Sequence, residues 1–291
     1  MSPRPTISRV SVLIVGYRAY DELDRCLTSI ETHEPGTEVI VVDHDADPVR
    51  GRAIAAAHPR VKYVARPENR GFGAGVNRAA LQATSSALLI LNPDVELPAP
   101  IVAPLLACLD AHADVAIVGG LVREADGGVQ ASARRFPDLS TPFGGRTSWL
   151  TRMAPNNPLT RRNLAATDSQ GRRAIVDWVT GAFMMIRREV FVELGGFDEH
   201  FFMYWEDADL CRRALARGWK TMYQPDAAVV HHTGRASRYA PIRSLVAFHR
   251  SVFHYYWKHG SWAARLASPL VAAGLAGRLL IRLAAGRPKF Q

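Results

Sequence analysis

The sequence predicts an α/β fold: a mostly parallel, doubly wound central sheet flanked by helices, followed by a C-terminal helical extension. Three observations carry this expectation. Apolar strand-like runs alternate with helical segments through the first 120 residues. Strand and helix patterns return from residue 181 after a polar stretch, and the last fifty residues turn aromatic, basic and apolar. The 291 residues are 48% hydrophobic and 22% charged, which suits a large globular domain and not a disordered chain.

The elements follow in order. VSVLIVGY (10–17) is a continuous apolar strand, and the next helix, 21–31, carries Leu23, Leu27 and Ile30 at helical spacing. EVIVVD (38–43) is a second buried strand, RGRAIAAAH a helix and VKYVA (61–65) a third strand. A helix over 73–84, a strand over 87–92, a helix over 98–112 opened by proline and a strand over 115–120 complete the alternation. Residues 121–175 are polar and arginine-rich and read as loop, with one short strand in ASARRFPDLS and a flexible excursion over 155–173. Order resumes with a strand over 181–188, a helix over 209–219 with a glycine stop, and strands over 220–224 and 227–232.

The tail has two readings. The uncharged run from Leu266 to Gly277 is too short to span a bilayer, and Arg278 interrupts it. It is either an amphipathic helix lying in a membrane interface or an ordinary helix packed on the domain or on a second subunit.

Lys plus Arg number 36 and Asp plus Glu 27, a net charge of +9 that suits nucleotide phosphates, nucleic acid or an anionic membrane surface. Cys26, Cys108 and Cys211 are far apart and read as free thiols in a reducing compartment. MSPRPTISRV has no apolar signal core, so the cytoplasm is expected.

Five constellations bear chemistry. Asp43 ends an apolar strand, with Asp45 and Asp47 following; a carboxylate there can accept from a ribose or a base edge, or belong to a solvated turn. Gly71, Gly73 and Gly75 precede a helix and are flanked by Arg66 and Arg70, a place where backbone N–H groups can meet phosphate. No Gly-Lys-Ser/Thr follows, and the dinucleotide glycine fingerprint is missing after the first strand. Asn92-Pro93-Asp94 is either turn punctuation or a hard-cation site at the carboxyl end of a strand. Glu206, Asp207 and Asp209 sit at a helix start, where acids favour the dipole. The aromatic run of Phe197, Phe201, Phe202, Tyr204 and Trp205 before them also makes a general base with a raised pKa plausible chemistry. His231 and His232 end a strand as structural residues or extra metal ligands, with no zinc spacing to support zinc alone.

Taken in order, VSVLIVGYRAYDELDRCLTSI, VIVVDHDAD, NRGFGAGVNRA, LLILNPDVEL, DWVTGAFMMIRREVFVELGGFDEHFFMYWEDADLCRRALARGW and VVHHTGRAS resemble the inverting family 2 glycosyltransferases of GT-A fold. The branch most similar is that of bacterial rhamnosyltransferases acting on lipid-linked or cell-envelope glycans, and the likeness runs from residue 10 to 240. The resemblance implies a nucleotide-sugar half (1–120), an acceptor-binding and catalytic half (121–240) and a basic, aromatic helical tail (241–291). It implies a nucleoside pocket from Val15, Tyr17, Arg18, Asp43 and Asp45, and a diphosphate segment from Asn69, Gly71, Phe72 and Asn77. Asn92 and Asp94 take the place of the Asp-x-Asp motif, with Asp94 as ligand to Mg²⁺ or Mn²⁺ and His231 or His232 as a later ligand. Glu206 and Asp207 match the catalytic acid pair, with Asp207 as base, and Trp178, Gly181 and Trp205 line the substrate cleft. His44 and Ala46 replace the family's usual Asn and Ser.

The implied donor is dTDP-L-rhamnose or a UDP-sugar such as UDP-GlcNAc or UDP-galactofuranose. The implied acceptor is a lipid-linked glycan at the inner face of the cytoplasmic membrane. The arginines at 134–135 and 161–173 are either solvated charge or a contact for an acceptor diphosphate. A nucleotidyltransferase would need a Lys-containing glycine signature after the first strand, which is lacking. A nucleic-acid-binding role leaves the acids at 94, 206, 207 and 209 without a purpose.

Overall fold

Four apolar strands pair in parallel on one side of the sheet: β1 (Val10–Gly16), β2 (Glu38–Asp43), β3 (Lys62–Ala65) and β4 (Ala87–Leu91). The computed structural model describes residues 9–45, 47–136, 153–154, 171–232, 241–266 and 268–284. The sheet continues through β5 (Val95–Glu96), β6 (Val115–Glu124), β11 (Phe183–Arg187) and β12 (Lys220–His231) in the order β3-β2-β1-β4-β11-β6-β12-β5. β11 runs antiparallel between β4 and β6, so the sheet is mixed though mostly parallel.

The buried strands explain the layers. Successive side chains point to opposite faces, so each strand feeds two cores. Val12, Ile14, Val41, Leu89 and Leu91 meet α1 (Tyr20–His33) and α4 (Val102–Ala111) through Leu23, Leu27, Ile30, Leu105 and Leu109. Leu13, Ile40, Leu88 and Ile90 face α3 (Phe72–Ala80), α5 (Arg188–Glu193) and α6 (Glu206–Ala216) through Val76, Val190, Phe191 and Leu210. Burying each such side chain contributes about 1.5–3 kcal/mol. α2 (Pro48–Ala57) opens on Asp47, whose Oδ1 accepts from Val49 N and Arg50 N.

The region read as loop contains more order than its composition suggests. β6 extends to Glu124 and turns back through Gly127, at φ 88°, into β7 (Val129–Gln130). β8 (Ala133–Arg134) lies in ASARRFPDLS, as expected, and pairs with β10 (Trp178–Val179); β9 (Ala174–Val176) pairs with β12. These pairings are long-range, so local composition cannot reveal them. The excursion expected over 155–173 lies outside the described residues except for 171–173, as do Arg161 and Arg162. β12 is one strand where two were expected, because Pro225-Asp226 is absorbed as a register shift between Gln224 and Ala228.

In the tail, α7 (Pro241–His259) packs on the domain, burying Leu245, Ala247, Val252 and Tyr255. α8 (Trp262–Leu266) and α9 (Ser268–Ala284) follow, with α9 lying along α7. No described helix is long and apolar enough to cross a membrane. Cys26, Cys108 and Cys211 are buried free thiols.

Candidate active site

The carboxyl ends of β1, β2 and β4 open onto one edge of the sheet, and most of the chemistry-bearing residues gather there. Asn92 and Asp94 follow β4 directly. Asn92 N–H donates to Ala182 O (3.1 Å), and Val95 N–H returns to Asn92 O (3.3 Å), fixing a tight turn around Pro93. Asp94 is buried, and its Oδ1 lies 3.1 Å from Nε2 of buried His231. Nδ1 of His231 lies 2.9 Å from Gln130 Oε1, which orients the ring. Its Nε2 faces the Asp94 oxygen and lies 3.3 Å from Asn92 Nδ2. With the ring proton on Nδ1, Nε2 and the carboxylate are two donors that a cation would join. Their separation matches the edge of an octahedron with bonds of about 2.1 Å, and a histidine oriented through its second nitrogen is the usual form of a metal ligand. The residues therefore fit a divalent cation.

His232 is not part of this pair. Adjacent strand residues point to opposite faces, and its Nε2 faces Glu96 Oε1 at 3.1 Å, beside Arg25. A second group of ligand types, Asp198, His200 and His254, brings its atoms within 4.8 Å of one another. There Lys258 Nζ already lies 2.7 Å from Asp198 Oδ2, so an ammonium holds the place a cation would take.

Asp43, expected at the nucleoside, is fully buried, and protein groups meet its carboxylate. Tyr20 Oη donates to Oδ2 at 2.8 Å, Tyr63 Oη donates to the same oxygen, and Asp45 N–H donates to Oδ1 at 3.0 Å. Burial, then the contact with Asp43, pushes both phenols well above their ordinary range. Asp43 thus shapes the loop that carries Asp45. Asp45 in turn holds the Arg18 guanidinium at 3.0 Å, which also lies over the Tyr17 ring. Arg18 adopts a left-handed φ of 57° at the end of β1, aiming it along the sheet edge.

The glycines of α3 are explained by close packing. A Cβ on Gly71, at φ 100°, would lie 2.1 Å from Phe202 O; on Gly73 it would meet Phe197, and on Gly75 it would meet Val15 and His44. Phe72 N–H donates to Phe202 O (2.9 Å), and Asn69 Oδ1 accepts from Gly71 N (3.0 Å). Asn77 clamps the Phe197 backbone from both sides, donating to its O (2.9 Å) and accepting from its N (2.8 Å). α3 thus anchors the 197–205 loop, and the side chains of Asn69 and Asn77 are engaged by protein.

That loop ends in two consecutive left-handed residues, Tyr204 (φ 70°) and Trp205 (φ 72°), immediately before Glu206. Such a conformation costs about 1–3 kcal/mol per bulky residue, so the surroundings must hold it. α7 does so: Trp205 packs on Tyr255 and Phe248, Tyr204 on Phe248, and Ser251 Oγ donates to Met203 O (2.9 Å). Buried Asp209 ties the same helix to α6, with Arg213 at 2.7 Å, Lys258 at 2.8 Å and His259 at 2.7 Å. The sequence places Asp209 with Glu206 and Asp207 at a helix start; its carboxylate anchors α7.

Asp207 is only half-buried. Its Oδ2 accepts from Gly181 N (3.0 Å) and its Oδ1 from Ala208 N (2.8 Å). Burial raises its pKa, while these N–H groups and the charge of Arg134 hold the rise back. Glu206 is buried, with Oε2 lacking a hydrogen-bond partner among the described residues; burial, then Asp207, raises its pKa well above the ordinary range. Of the two, Glu206 is the one whose charged form burial disfavours more. Gly181 lies between Phe72 and Asp207, and the Gly181-Ala182 turn carries N–H to Asp207 on one side and C=O to Asn92 on the other. The cation pair and the acid pair are thus one backbone turn apart. Trp178 borders them under Arg134, whose guanidinium lies 5.2 Å from its ring. Gln130, Tyr20 and Tyr63 were not singled out by sequence reading, and α7 was expected only as part of a helical tail, since nothing local marks a residue as the partner of a distant one.

The model of the Glycosyltransferase like family 2 matches residues 5–245. N-acetylglucosaminyl-diphospho-decaprenol L-rhamnosyltransferase of Mycobacterium tuberculosis is 31% identical over 265 residues, covering 86% of this chain and 85% of that protein. Rhamnosyltransferase WbbL of Escherichia coli is 25% identical over 254 residues, covering 84% and 92%. Among solved structures, a mannosyltransferase of Pyrobaculum calidifontis in complex with GDP-Man and Mn²⁺ aligns with a TM-score of 0.59 at 21% identity, over 98% of this chain and 78% of that one. GalNAc-T7 with UDP, GalNAc and Mn²⁺ aligns with a TM-score of 0.58 at 19% identity, over 79% and 44%. The expected GT-A fold and the transferase class are both met. Sheet, site and likeness together make this chain a member of glycosyltransferase family 2.

Proposed function

We propose that the protein is an inverting, metal-dependent rhamnosyltransferase that moves L-rhamnose from dTDP-L-rhamnose to a lipid-linked glycan at the cytoplasmic membrane surface. The observation that carries the reading is the facing arrangement of two groups across the Gly181-Ala182 turn. Asp94 and His231 converge at 3.1 Å on one side, and the Asp207 carboxylate is held by Gly181 N–H on the other. The relatives named as rhamnosyltransferases, one of them for a decaprenyl-diphosphate-linked acceptor, support the donor and the acceptor.

A divalent cation held by Asp94 and His231, Mg²⁺ or Mn²⁺, would neutralise charge on the departing nucleoside diphosphate. Gln130 keeps the His231 ring turned for that role. The sheet edge that carries Tyr17, Arg18, Asp45 and the Asn69–Phe72 segment suits the nucleotide, whereas Val15 is buried against α3. Asp207 takes the proton of the acceptor hydroxyl as its oxygen bonds to C1 and the C1–phosphate oxygen bond breaks, its electrons leaving with the diphosphate. Attack from the side opposite the leaving group inverts C1 in one displacement. A protonated Glu206, which its burial favours, would add no second negative charge beside the base. Trp178 and Trp205 supply apolar walls for the sugar.

The test is release of nucleoside diphosphate from dTDP-rhamnose, UDP-GlcNAc, UDP-galactofuranose and GDP-mannose, with Mn²⁺ or with EDTA. The reading expects turnover of dTDP-rhamnose that EDTA and Asp94→Ala both abolish. Turnover of a UDP-sugar alone would move the donor assignment, and turnover indifferent to EDTA would remove the cation from the mechanism.

A further inference from the structure

The outer face of α8 and α9 is apolar and open. Trp262, Leu266, Leu270, Leu280 and Ile281 each expose between 66 and 78% of their surface, and Trp257 at the end of α7 exposes half of its own. Leu270, Leu280 and Ile281 fall on one side of α9 at the helical repeat, while Val271, Leu275 and Leu279 are half-buried as α9 lies along α7. A contiguous apolar stripe of this kind marks a docking surface.

The charge of the molecule says what it docks on. Residues 227–291 contain ten Lys and Arg and no Asp or Glu. The preceding 226 residues hold 26 basic and 27 acidic side chains, so the whole net positive charge of the protein lies in this tail. A second copy would cover the stripe only by bringing two strongly positive tails together. Nucleic acid would satisfy the charge but has no use for exposed Leu and Ile. An anionic phospholipid bilayer satisfies both, and no described helix here is able to cross it. Tryptophans at one end of a leucine stripe, with arginines alongside, suit a helix lying in the interface.

We infer that α8 and α9, with Trp257, form a lipid-facing platform that seats the enzyme on an anionic phospholipid surface. The reason an enzyme would need that surface rests on the lipid-linked acceptor proposed above; the stripe and the charge do not. Because α7 both carries the platform and supports Trp205 beside Glu206 and Asp207, the cleft would sit at a fixed orientation to the bilayer.

The test is co-sedimentation of the full chain with vesicles of phosphatidylcholine alone or mixed with phosphatidylglycerol, at low and high salt and without nucleotide sugar. The expected result is sedimentation with the anionic vesicles that weakens at least tenfold as salt rises. A Trp262→Ser, Leu270→Ser, Ile281→Ser variant should lose tenfold or more of the binding while keeping its melting temperature and its release of nucleoside diphosphate. Failure to sediment with anionic vesicles overturns the platform, as does undiminished binding by the variant. A dimer in size-exclusion chromatography that the variant converts to a monomer also overturns it, assigning the stripe to a second copy. Vesicle binding by a protein that turns over no nucleotide sugar upholds the platform and counts only against the transferase reading.

Discussion

At the scale of single residues, the candidate site holds carboxylates that their surroundings shift to different extents. Asp207 is raised by burial yet steadied by two backbone N–H groups, a state suited to a base that must be ionised and still take a proton. Asp207→Asn should lower turnover by about 10²- to 10⁴-fold while leaving nucleotide-sugar affinity close to that of the native protein, measured by single-turnover kinetics and calorimetry. In the native enzyme kcat/KM should fall as pH drops through the raised pKa of the pair, above the ordinary carboxylate range. An acid limb that persists in the Asn variant would assign the titration to another group. On the other side of the turn, Gln130→Ala should weaken metal activation by about 10–100-fold, read from a Mn²⁺ titration of turnover. His232→Ala should change it little, because that ring faces Glu96. Asp94 and Asp207 stood out in the sequence as candidates because a carboxylate after a strand and an acid pair at a helix start are local patterns. Which of His231 and His232 faces Asp94 was not legible. It depends on which face of β12 meets Gln130, and Gln130 is 101 residues away in the chain.

At the scale of elements, α3 and α7 grip the 197–205 loop from two sides. α3 does so by closeness: Gly71 lets the Phe202 carbonyl reach Phe72 N–H, and any Cβ there would overlap that carbonyl. Gly71→Ala should therefore destabilise the fold by roughly 2 kcal/mol or more, through overlap and an unfavourable φ together, seen as a lowered denaturation midpoint with unchanged slope. The glycine cluster was visible in the sequence, but its physical reading there was a phosphate cradle, and the packing that accounts for it required Phe197 and Phe202 to be placed. α7 acts by charge, through Asp209. Asp209→Ala would leave Arg213, Lys258 and His259 without their buried partner, a loss of about 3–5 kcal/mol. Hydrogen exchange should show α7 opening ahead of β1, β2 and β4. The alternation of strands and helices up to Val115 was readable because each buried strand is a continuous apolar run. β5, β9 and β10 were not readable, being two or three residues long and specified by partners far away.

At the scale of the whole molecule, the titration of its carboxylates decides when α7 lets go. Burial alone would raise Asp209, but His259, Arg213 and Lys258 hold it below its ordinary range. Burial likewise opposes Lys258 and the His200 contacts at Asp198, and they prevail, pushing it far down. Glu38 follows the same pattern, brought down to about 2 by Lys62 and Ser11 against its burial. A depressed folded pKa gives stability that is present above the unfolded value, near 4, and is lost as pH falls toward the folded one. Glu206 has the opposite sign. Its raised folded pKa gives stability that is complete below the unfolded value and lost as pH climbs through the folded one. Thermal melts across pH should therefore separate the two. Asp209→Asn should be markedly less stable than the native chain at neutral pH, with the gap closing in acid. Glu206→Gln should match the native chain in acid and equal or exceed it at neutral and alkaline pH, since the amide carries no buried charge. Parallel curves for all three proteins would mean that neither carboxylate is shifted on folding. The two variants also separate stability from catalysis: Glu206→Gln keeps a neutral group beside Asp207 and should retain activity, whereas releasing α7 in Asp209→Asn frees the left-handed Tyr204-Trp205 pair and should reduce it.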